Sequence, residues 1–137
     1  MPRRPNVGVA TLIFREGKIL LGIRTKGKLV GWYAPPGGHL EWGETFEAAS
    51  ERETEEESTI KIFDTLKLSC YNRIIPEEDH HYVVVFMLAL AWTGEHENVD
   101  GMEWDWYDPS SLPDPTLPAV GWVLRDHHDL LCHHWET

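Results

Sequence analysis

Residues 38–60 read GHLEWGETFEAASERETEEESTI, a segment dominated by acidic side chains. Eight of the seventeen residues from position 41 to position 57 are glutamates, and Arg52 is the one lysine or arginine among them. The eight are Glu41, Glu44, Glu47, Glu51, Glu53, Glu55, Glu56 and Glu57. Because like charges one helical turn apart destabilise a helix, this density of carboxylates needs a reason beyond solubility.

A helix would gather three of these carboxylates on one face. With about 3.6 residues per turn, positions i, i+3 and i+4 are neighbours, and Glu53, Glu56 and Glu57 have that spacing. Mg²⁺ takes oxygen ligands, keeps several waters and is held by a few carboxylates together with substrate phosphates. The helix alone is compatible with a divalent-cation site and equally with a solvated acidic face.

The residues before the helix favour the cation site. The cluster Pro35-Pro36-Gly37-Gly38 predicts a sharp turn after a short extended segment. Thr45 is the predicted N-cap of a helix over about 45–58. Glycine lets the backbone approach a ligand or a metal closely, so a glycine-rich loop that leads into a helix of glutamates is typical of a binding site.

The pattern Gly-x5-Glu-x7-Arg-Glu-x-x-Glu-Glu, which begins at Gly38, resembles the Nudix box, the signature of the Nudix hydrolases. The resemblance implies a box over residues 38–60 within a single hydrolase domain over residues 1–137. Family members usually have an aliphatic residue where Thr54 stands and a glycine where Thr59 stands. Because a β-branched residue is strained in the left-handed conformation that ends such a helix, we expect the helix to end differently here.

Other segments resemble the MutT-like branch of the family, which hydrolyses nucleoside triphosphates. They are Arg-Arg-Pro-x-Val-Gly-Val, Leu-Leu-Gly-x-Arg, Pro-Gly-Gly-His-Leu-Glu, His-Tyr-Val-x-x-Phe-Met and Trp-x-Trp-x-x-x-x-x-Leu-Pro. This branch implies Mg²⁺-dependent hydrolysis of a nucleoside triphosphate, with modified or oxidised dNTPs among the candidates, to the monophosphate and pyrophosphate. Mn²⁺ is the expected substitute metal. Open alternatives are ADP-ribose, another nucleotide sugar, a dinucleotide or a pterin triphosphate as substrate, and a non-catalytic nucleotide-binding sensor.

Apolar and alternating segments predict the rest of the secondary structure. We expect strands at 7–14, 19–23, 83–91 and 103–107, one or two strands at 60–72 with a break near Asp64, a loop at 74–79 and a last helix from 119 to about 132. The strand at 83–91 is almost wholly apolar and is predicted to be central. This order of elements indicates an α/β fold with a mixed sheet, and the resemblance implies an α/β/α sandwich.

The composition limits the partners. A net charge of −11 argues against binding to anionic membranes and to polymeric nucleic acid, although a metal can bridge carboxylates to the phosphates of a nucleotide substrate. No segment reaches the roughly 20 apolar residues of a membrane helix. The two cysteines, Cys70 and Cys132, fit a reducing cytoplasm. A homodimer is left open.

The resemblance implies a role for each charged residue of the box. The implied metal ligands are Glu53, Glu56, Glu57 and the carbonyl oxygen of Gly37. Glu53 could instead deprotonate the attacking water, and Glu44 is the second candidate base. Arg52 would orient one of these two acids through charge-assisted hydrogen bonds, and it would also relieve repulsion among the carboxylates.

The resemblance implies a further metal-binding carboxylate from the loop after the central strand. Glu97, Asp100 and Glu103 are available, and each could equally be a solvated loop acid. Glu103 is preferred because it adjoins Trp104 in the last predicted strand.

The substrate-binding residues are predicted from position and chemistry. Arg24 ends a strand and could meet a phosphate or merely balance the acidic helix, and an aromatic side chain is more often core than stacking platform. A histidine at the start of the central strand could contact a base or lie at the surface. The predicted set is Arg24, Tyr33, Gly38, Trp104 and His81.

Overall fold

The computed structural model describes residues 3–99 and 101–135, and these residues form eight strands and three helices. The strands are β1 (Asn6–Leu12), β2 (Phe14–Arg15), β3 (Lys18–Arg24), β4 (Tyr33–Ala34), β5 (Gly37–His39), β6 (Lys61–Ile75), β7 (His80–Thr93) and β8 (Met102–Tyr107). The helices are α1 (Phe46–Ser58), α2 (Pro118–Asp126) and α3 (His128–Trp135).

The first sheet is mixed, as the sequence predicts. Its strand order is β5-β1-β7-β6, in which β1 and β7 are parallel while β5 and β6 pair antiparallel with their neighbours. The strand β7 is an inner strand, and its residues 84–89 are continuously buried. The prediction of a central apolar strand is therefore confirmed.

The second sheet is built around β3, which pairs antiparallel with β2, β4 and β8. The segment 7–14, predicted as one strand, is divided between the two sheets. β1 ends at Leu12, and Phe14 pairs with Ile19 in the second sheet. One continuous apolar segment thus contributes to both sheets, which its composition alone does not reveal.

Helices cover both faces of the first sheet. Val9 of β1 belongs to an apolar cluster with Ala49 of α1. Leu12 belongs to a second cluster with Val123 of α2, and this cluster also takes in side chains of β3. Because successive side chains of a strand point to opposite faces, α1 lies on one side of the sheet and α2 lies on the other. The predicted α/β/α sandwich is confirmed.

Helix α1 begins as its sequence predicts. The Oγ1 atom of Thr45 accepts a hydrogen bond from the Ala48 N–H at 3.1 Å, which satisfies one of the free donors of the first turn. Its buried residues are small, so the helix approaches the sheet closely. These residues are Ala49, Ser50, Thr54 and Ser58.

The end of α1 corrects an expectation from the sequence. Thr59 adopts the left-handed conformation that a glycine would take, with φ 69° and ψ −1°, and its N–H donates to the Glu55 carbonyl oxygen. Its hydroxyl donates to the Glu95 carbonyl oxygen at 2.9 Å. The helix therefore ends in the usual way, and a hydrogen bond to the loop after β7 offsets part of the steric strain.

Three other boundaries differ from the prediction. The strand β6 runs without interruption through the expected break near Asp64, where register shifts against β7 absorb the irregularity. It continues to Ile75, and a 3-10 turn replaces the expected loop at Pro76–Glu78. The last helix divides at His127 into α2 and α3. None of the helices in the described part of the chain is both long enough and apolar enough to cross a membrane.

Candidate active site

Strand β5 and helix α1 bring two glycines against two carboxylates. The Gly37 N–H donates to Oε1 of Glu57 at 2.8 Å. A Cβ atom on Gly38 would lie 2.3 Å from the nearest oxygen of Glu53, and one on Gly37 would lie 2.4 Å from the Val9 carbonyl oxygen. A side chain at Gly37 would collide with backbone, and one at Gly38 would displace the carboxylate of Glu53. The two glycines therefore let both carboxylates lie directly against the backbone of the turn.

Arg52 joins the acids of the helix to the preceding loop. Its Nε and Nη2 atoms donate to the carboxylate of Glu44 at 2.7 and 2.9 Å, and Nη1 donates to Glu53 at 2.8 Å. Nη2 also donates to the carbonyl oxygen of His39 at 3.0 Å. Hydrogen bonding from Arg52 lowers the pKa of Glu44, and hydrogen bonding to Glu44 raises the pKa of Arg52. Arg52 thus contacts Glu44 and Glu53, the two acids predicted as candidate general bases.

Glu57 is the most perturbed acid of the site. Burial raises its pKa to about 7, and the charges of Glu53 and Glu56 act in the same direction. The Gly37 N–H and the charge of Arg24 act in the opposite direction without compensating fully. A divalent cation beside this half-buried carboxylate would favour its ionised form and so lower its pKa. The raised pKa of Glu57 is therefore what is expected of a metal ligand without its metal.

The carboxylates of α1 fit the Mg²⁺ that the resemblance implies, although their oxygens do not converge on one position. In residues 3–99 and 101–135, no three His, Cys, Asp or Glu side chains lie close enough to hold a metal ion as they stand. Glu53 is held by Arg52, Glu57 is held by Gly37, and the Glu56 side chain is 60% exposed. Since Mg²⁺ shares its coordination with water and substrate phosphates, a few carboxylates on one helix face match its preferences.

A cavity of about 460 Å³ opens beside these acids. Glu53 and Glu57 line it together with Arg24, and apolar side chains such as Phe86 and Val120 line its interior. The Nε atom of Arg24 is buried and has no hydrogen-bond partner in the described structure. This volume is typical of small-molecule sites, and an unpaired buried donor at its wall fits an anionic ligand.

A second polar group lines the cavity, and sequence reasoning missed most of it. Arg73 of β6 donates from Nε to Nε2 of His80 at 2.9 Å, and the His80 ring stacks on Tyr82 at 4.5 Å between centroids. The Tyr82 hydroxyl forms a hydrogen bond with the ring of His39. One sequence signal points to this group, since Arg73 is the only lysine or arginine between Lys67 and Arg125.

Two predicted aromatic contacts lie elsewhere. Trp104 is buried, and its Nε1–H donates to the carbonyl oxygen of Glu57 at 2.8 Å. The indole therefore holds the last turn of α1 against β8. Tyr33 packs edge-on against Tyr107 at 5.5 Å between centroids. The structure does not bring either ring to the wall of the cavity, because the pairing register of their strands turns both rings away from it.

The further carboxylate is not brought to the acids of α1. Glu103 is exposed, and it follows Met102 and precedes Trp104, both of which are buried, so it points to the opposite face of β8. Glu97 is also exposed, and its N–H donates to the Ser58 carbonyl oxygen. Asp100 lies outside the described residues.

His81 is the predicted residue at the cavity rim. It is exposed and lies within hydrogen-bonding distance of the Asn72 side chain, at 3.1 Å. It lines the cavity together with its neighbour His80, which is nearly buried. Of the predicted substrate-binding residues, Arg24, Gly38 and His81 therefore meet at one cavity.

Comparison with known proteins identifies this arrangement. The sequence profile described as "NUDIX domain" matches residues 2–128. The chain belongs to the NUDIX domain family. A crystal structure of the MutT NUDIX hydrolase from Burkholderia pseudomallei superposes with a TM-score of 0.82 at 33% identity, and the match covers 90% of this chain and 98% of that one. The prediction of a MutT-like Nudix protein is confirmed.

Two curated Nudix relatives differ in the substrate that their names state. The ADP-ribose pyrophosphatase of Methanocaldococcus jannaschii is 33% identical over 112 residues, which cover 80% of this chain. The oxidized purine nucleoside triphosphate hydrolase of Danio rerio is 31% identical over 103 residues, which cover 74% of it. In both cases the matched segment spans 65% of the relative's own length. The names agree on hydrolysis of nucleotide phosphoanhydrides and disagree on the nucleotide.

Proposed function

We propose that this Nudix protein hydrolyses a nucleoside triphosphate to the monophosphate and pyrophosphate with Mg²⁺, for which Mn²⁺ can substitute. The observation that carries the proposal is the cavity itself. Two half-buried carboxylates, Glu53 and Glu57, line one part of it, and two cationic side chains, Arg24 and Arg73, line another. A polyphosphate linked to a nucleoside, with a metal bridging its phosphates to the acids, matches this distribution of charge.

The acids of α1 are assigned by their surroundings. Glu53, Glu56, Glu57 and the Gly37 carbonyl oxygen would hold the metal, which when bound neutralises phosphate charge and makes water more acidic. Glu44 already accepts three hydrogen bonds, two from Arg52 and one from the Glu41 N–H. Because these bonds lower its pKa and engage both of its oxygens, Glu44 is poorly placed to take a proton. These contacts support Glu53 as the general base and Glu44 as the residue that positions Arg52.

A second candidate function keeps the chemistry and changes the substrate to ADP-ribose. The observation that favours it is the likeness to the archaeal relative, whose name states that activity. The likeness to the Danio rerio protein favours an oxidised purine triphosphate instead. The reaction at the acids would be the same in both cases, because each substrate contains a phosphoanhydride bond.

A substrate panel tests the proposal. We would measure product release from canonical and oxidised dNTPs, ADP-ribose and a dinucleotide, with Mg²⁺ and with EDTA. We expect EDTA-sensitive release of pyrophosphate from triphosphates. Cleavage of ADP-ribose alone would move the specificity to the second candidate, and a correctly folded protein that cleaves none of these substrates would overturn both.

Matched glutamine variants test the site. Glu53→Gln and Glu57→Gln should each lower turnover by about a hundredfold or more, since each removes a charge from the metal site. Glu51→Gln makes the same chemical change on the same helix at an exposed position and should leave turnover unchanged. Equal activity of all three variants would refute the assignment.

The cytoplasmic location and the homodimer stay predictions. The edge strand β6 exposes Phe63, Leu66 and Ile74, and such an apolar edge supports pairing between two copies. Light scattering at several concentrations measures the oligomeric state, and a monomer at every concentration would contradict the homodimer.

A further inference from the structure

Arg73 is a half-buried cation without a carboxylate partner in the part of the chain that the structure describes. It lies directly opposite Tyr82 in the pairing of β6 with β7, and its guanidinium lies over the Tyr82 ring at 5.2 Å from the centroid. Its Nε atom donates to His80. Among the described residues, the two Nη atoms have no hydrogen-bond acceptor and the guanidinium has no ion pair, although the side chain lines the cavity. Several N–H donors therefore remain for a ligand.

The neighbours of Arg73 fix its orientation without cancelling its charge. Burial lowers the pKa of Arg73 to about 10, so the side chain is still a cation at neutral pH. Burial and the nearby cations Arg73, Lys28 and Arg24 lower the pKa of His80 to about 4, so His80 is neutral. Since Nε2 of His80 accepts from Arg73, the proton of this ring lies on Nδ1. The result is a preorganised guanidinium that faces the cavity.

Arg73 lies toward the end of the cavity away from the acids. Glu53 lies against Gly38 of β5, which pairs with Val9 of β1, and Val9 pairs with Val85 of β7. Arg73 is on β6, at the far side of β7 from these strands, and it pairs with Tyr82, three residues before Val85. Three residues of a strand span about 10 Å, so Arg73 is separated from the acids both along the strands and across the sheet. If the phosphates lie against the acids and Arg24, as the proposed function requires, the nucleobase is the part of the substrate that reaches Arg73.

We propose that Arg73 is a specificity-determining residue that donates two parallel hydrogen bonds to a nucleobase with two adjacent acceptors. Guanine offers N7 and O6, and cytosine offers N3 and O2. Adenine places an amino group beside each acceptor of its Watson–Crick and Hoogsteen edges, and thymine and uracil place an N–H between their two carbonyl groups. A guanidinium held in one orientation by His80 and Tyr82 therefore discriminates against these three bases.

The test compares bases in two measurements on the full chain. The first is kcat/KM for dGTP, dCTP, dATP and dTTP with Mg²⁺. The second is the affinity for the four matching monophosphates in EDTA, which does not depend on turnover. Both are made on the wild type, on Arg73→Met and on Arg73→Lys. Arg125→Met, at an exposed position on α2, is the control.

We expect the wild type to prefer dGTP or dCTP over dATP and dTTP by about tenfold or more in kcat/KM. Comparison of dGTP with dCTP then shows whether the pair of acceptors belongs to guanine or to cytosine. Arg73→Met should remove this preference by lowering only the values for the preferred base. Arg73→Lys should remove most of it, because an ammonium group keeps the charge and loses the planar fork. If the methionine variant fails to fold, the lysine variant alone still tests the proposal. The control should match the wild type.

Three results would overturn the proposal. They are a wild type without base preference, a preference for adenine or thymine, and an equal loss for all four bases in both Arg73 variants, which would indicate a contact to phosphate or a role in folding.

The proposed function can fail separately. If no triphosphate is hydrolysed and the monophosphates still show an Arg73-dependent preference for guanine or cytosine, the proposed function falls and the assignment of Arg73 stands. No affinity for any of the four monophosphates would overturn the assignment of Arg73 as well.

Discussion

Arg52 donates from Nε and Nη2 to the two oxygens of Glu44, at 2.7 and 2.9 Å, and so ties helix α1 to the loop that precedes it. The pairing is bidentate, which fixes both the distance and the plane of the carboxylate. The third nitrogen of the same guanidinium, Nη1, holds Glu53. The geometry of the acidic site therefore depends on a planar fork and not on positive charge alone.

Arg52→Lys tests this dependence. Lysine keeps the charge but cannot make two parallel bonds to Glu44 while holding Glu53. We expect kcat/KM to fall by about ten- to a hundredfold, as for other residues that orient metal ligands. Steady-state kinetics with Mg²⁺ measure the effect, and Arg125→Lys is the surface control. Wild-type activity in the lysine variant would show that charge alone suffices.

Gly38→Ala should separate activity from stability. The new Cβ would lie 2.3 Å from an oxygen of Glu53, which is the end of a flexible side chain and can move. We expect a small change in unfolding temperature and a loss of activity of about a hundredfold, since displacing a reacting group by about 1 Å can cost that much. Thermal unfolding and kinetics on one preparation measure both quantities.

Gly121→Ala is the matched control for that variant. Gly121 lies within α2, and a Cβ there would meet nothing within 4 Å. Alanine in a helix interior should raise the free energy of unfolding by about 0.5–1 kcal/mol and leave activity unchanged. If both glycine variants lost activity equally, the close approach to Glu53 would not be the cause.

Metal affinity should depend on pH through Glu57. Its pKa is raised to about 7, and Mg²⁺ binds the carboxylate and not the acid. Affinity for Mg²⁺ should therefore rise as pH increases through about 7 and level off above it. Calorimetric titrations between about pH 5.5 and 8.5 measure this dependence, and Glu57→Gln should flatten it. An affinity that does not change with pH in the wild type would contradict the prediction.

The same group affects the stability of the metal-free protein with a defined sign. The pKa of Glu57 is about 7 in the folded protein and 4.5 for an ordinary glutamate, so the folded state binds the proton more tightly. Its contribution to stability is present below about 4.5 and is lost as pH rises through about 7. Relative to Glu57→Gln, the metal-free wild type should lose unfolding temperature across this window. A constant difference would show that the carboxylate is not desolvated.

Thr59 provides a test of backbone strain. Thr59→Ala keeps the left-handed conformation and loses the hydrogen bond to Glu95, while Thr59→Gly loses the bond and relieves the strain. We expect the glycine variant to be more stable than the alanine variant by about 1 kcal/mol in denaturant unfolding. Equal stability of the two variants would show that the helix end carries no strain.

Local signals made α1 predictable. The Thr45 cap and the spacing of the carboxylates follow from helix geometry within a few turns, and the contact of Arg52 with Glu44 and Glu53 was expected from the resemblance. The central strand was predictable for a similar reason, because an apolar segment such as 84–89 has to be covered on both faces.

Pairing between distant strands was not predictable. Arg73 reaches the cavity because β6 and β7 pair in a register with shifts near Asp64 and after Lys67, and no local pattern encodes these shifts. The register of β8 against β3 likewise turns Trp104 into the core and Glu103 to the opposite face. Residues placed by nonlocal register are therefore the ones whose surroundings the sequence does not predict.

Glu57 is held from two sides, by its carbonyl oxygen and by its carboxylate. The indole of Trp104 holds the carbonyl from the second sheet, and Gly37 holds the carboxylate from the first. The two contacts are present together only when both sheets are in place against α1. The position of this proposed metal ligand is therefore set by both halves of the fold. A substitution at Trp104, which lies in the second sheet, would reach the acidic site through the backbone of Glu57.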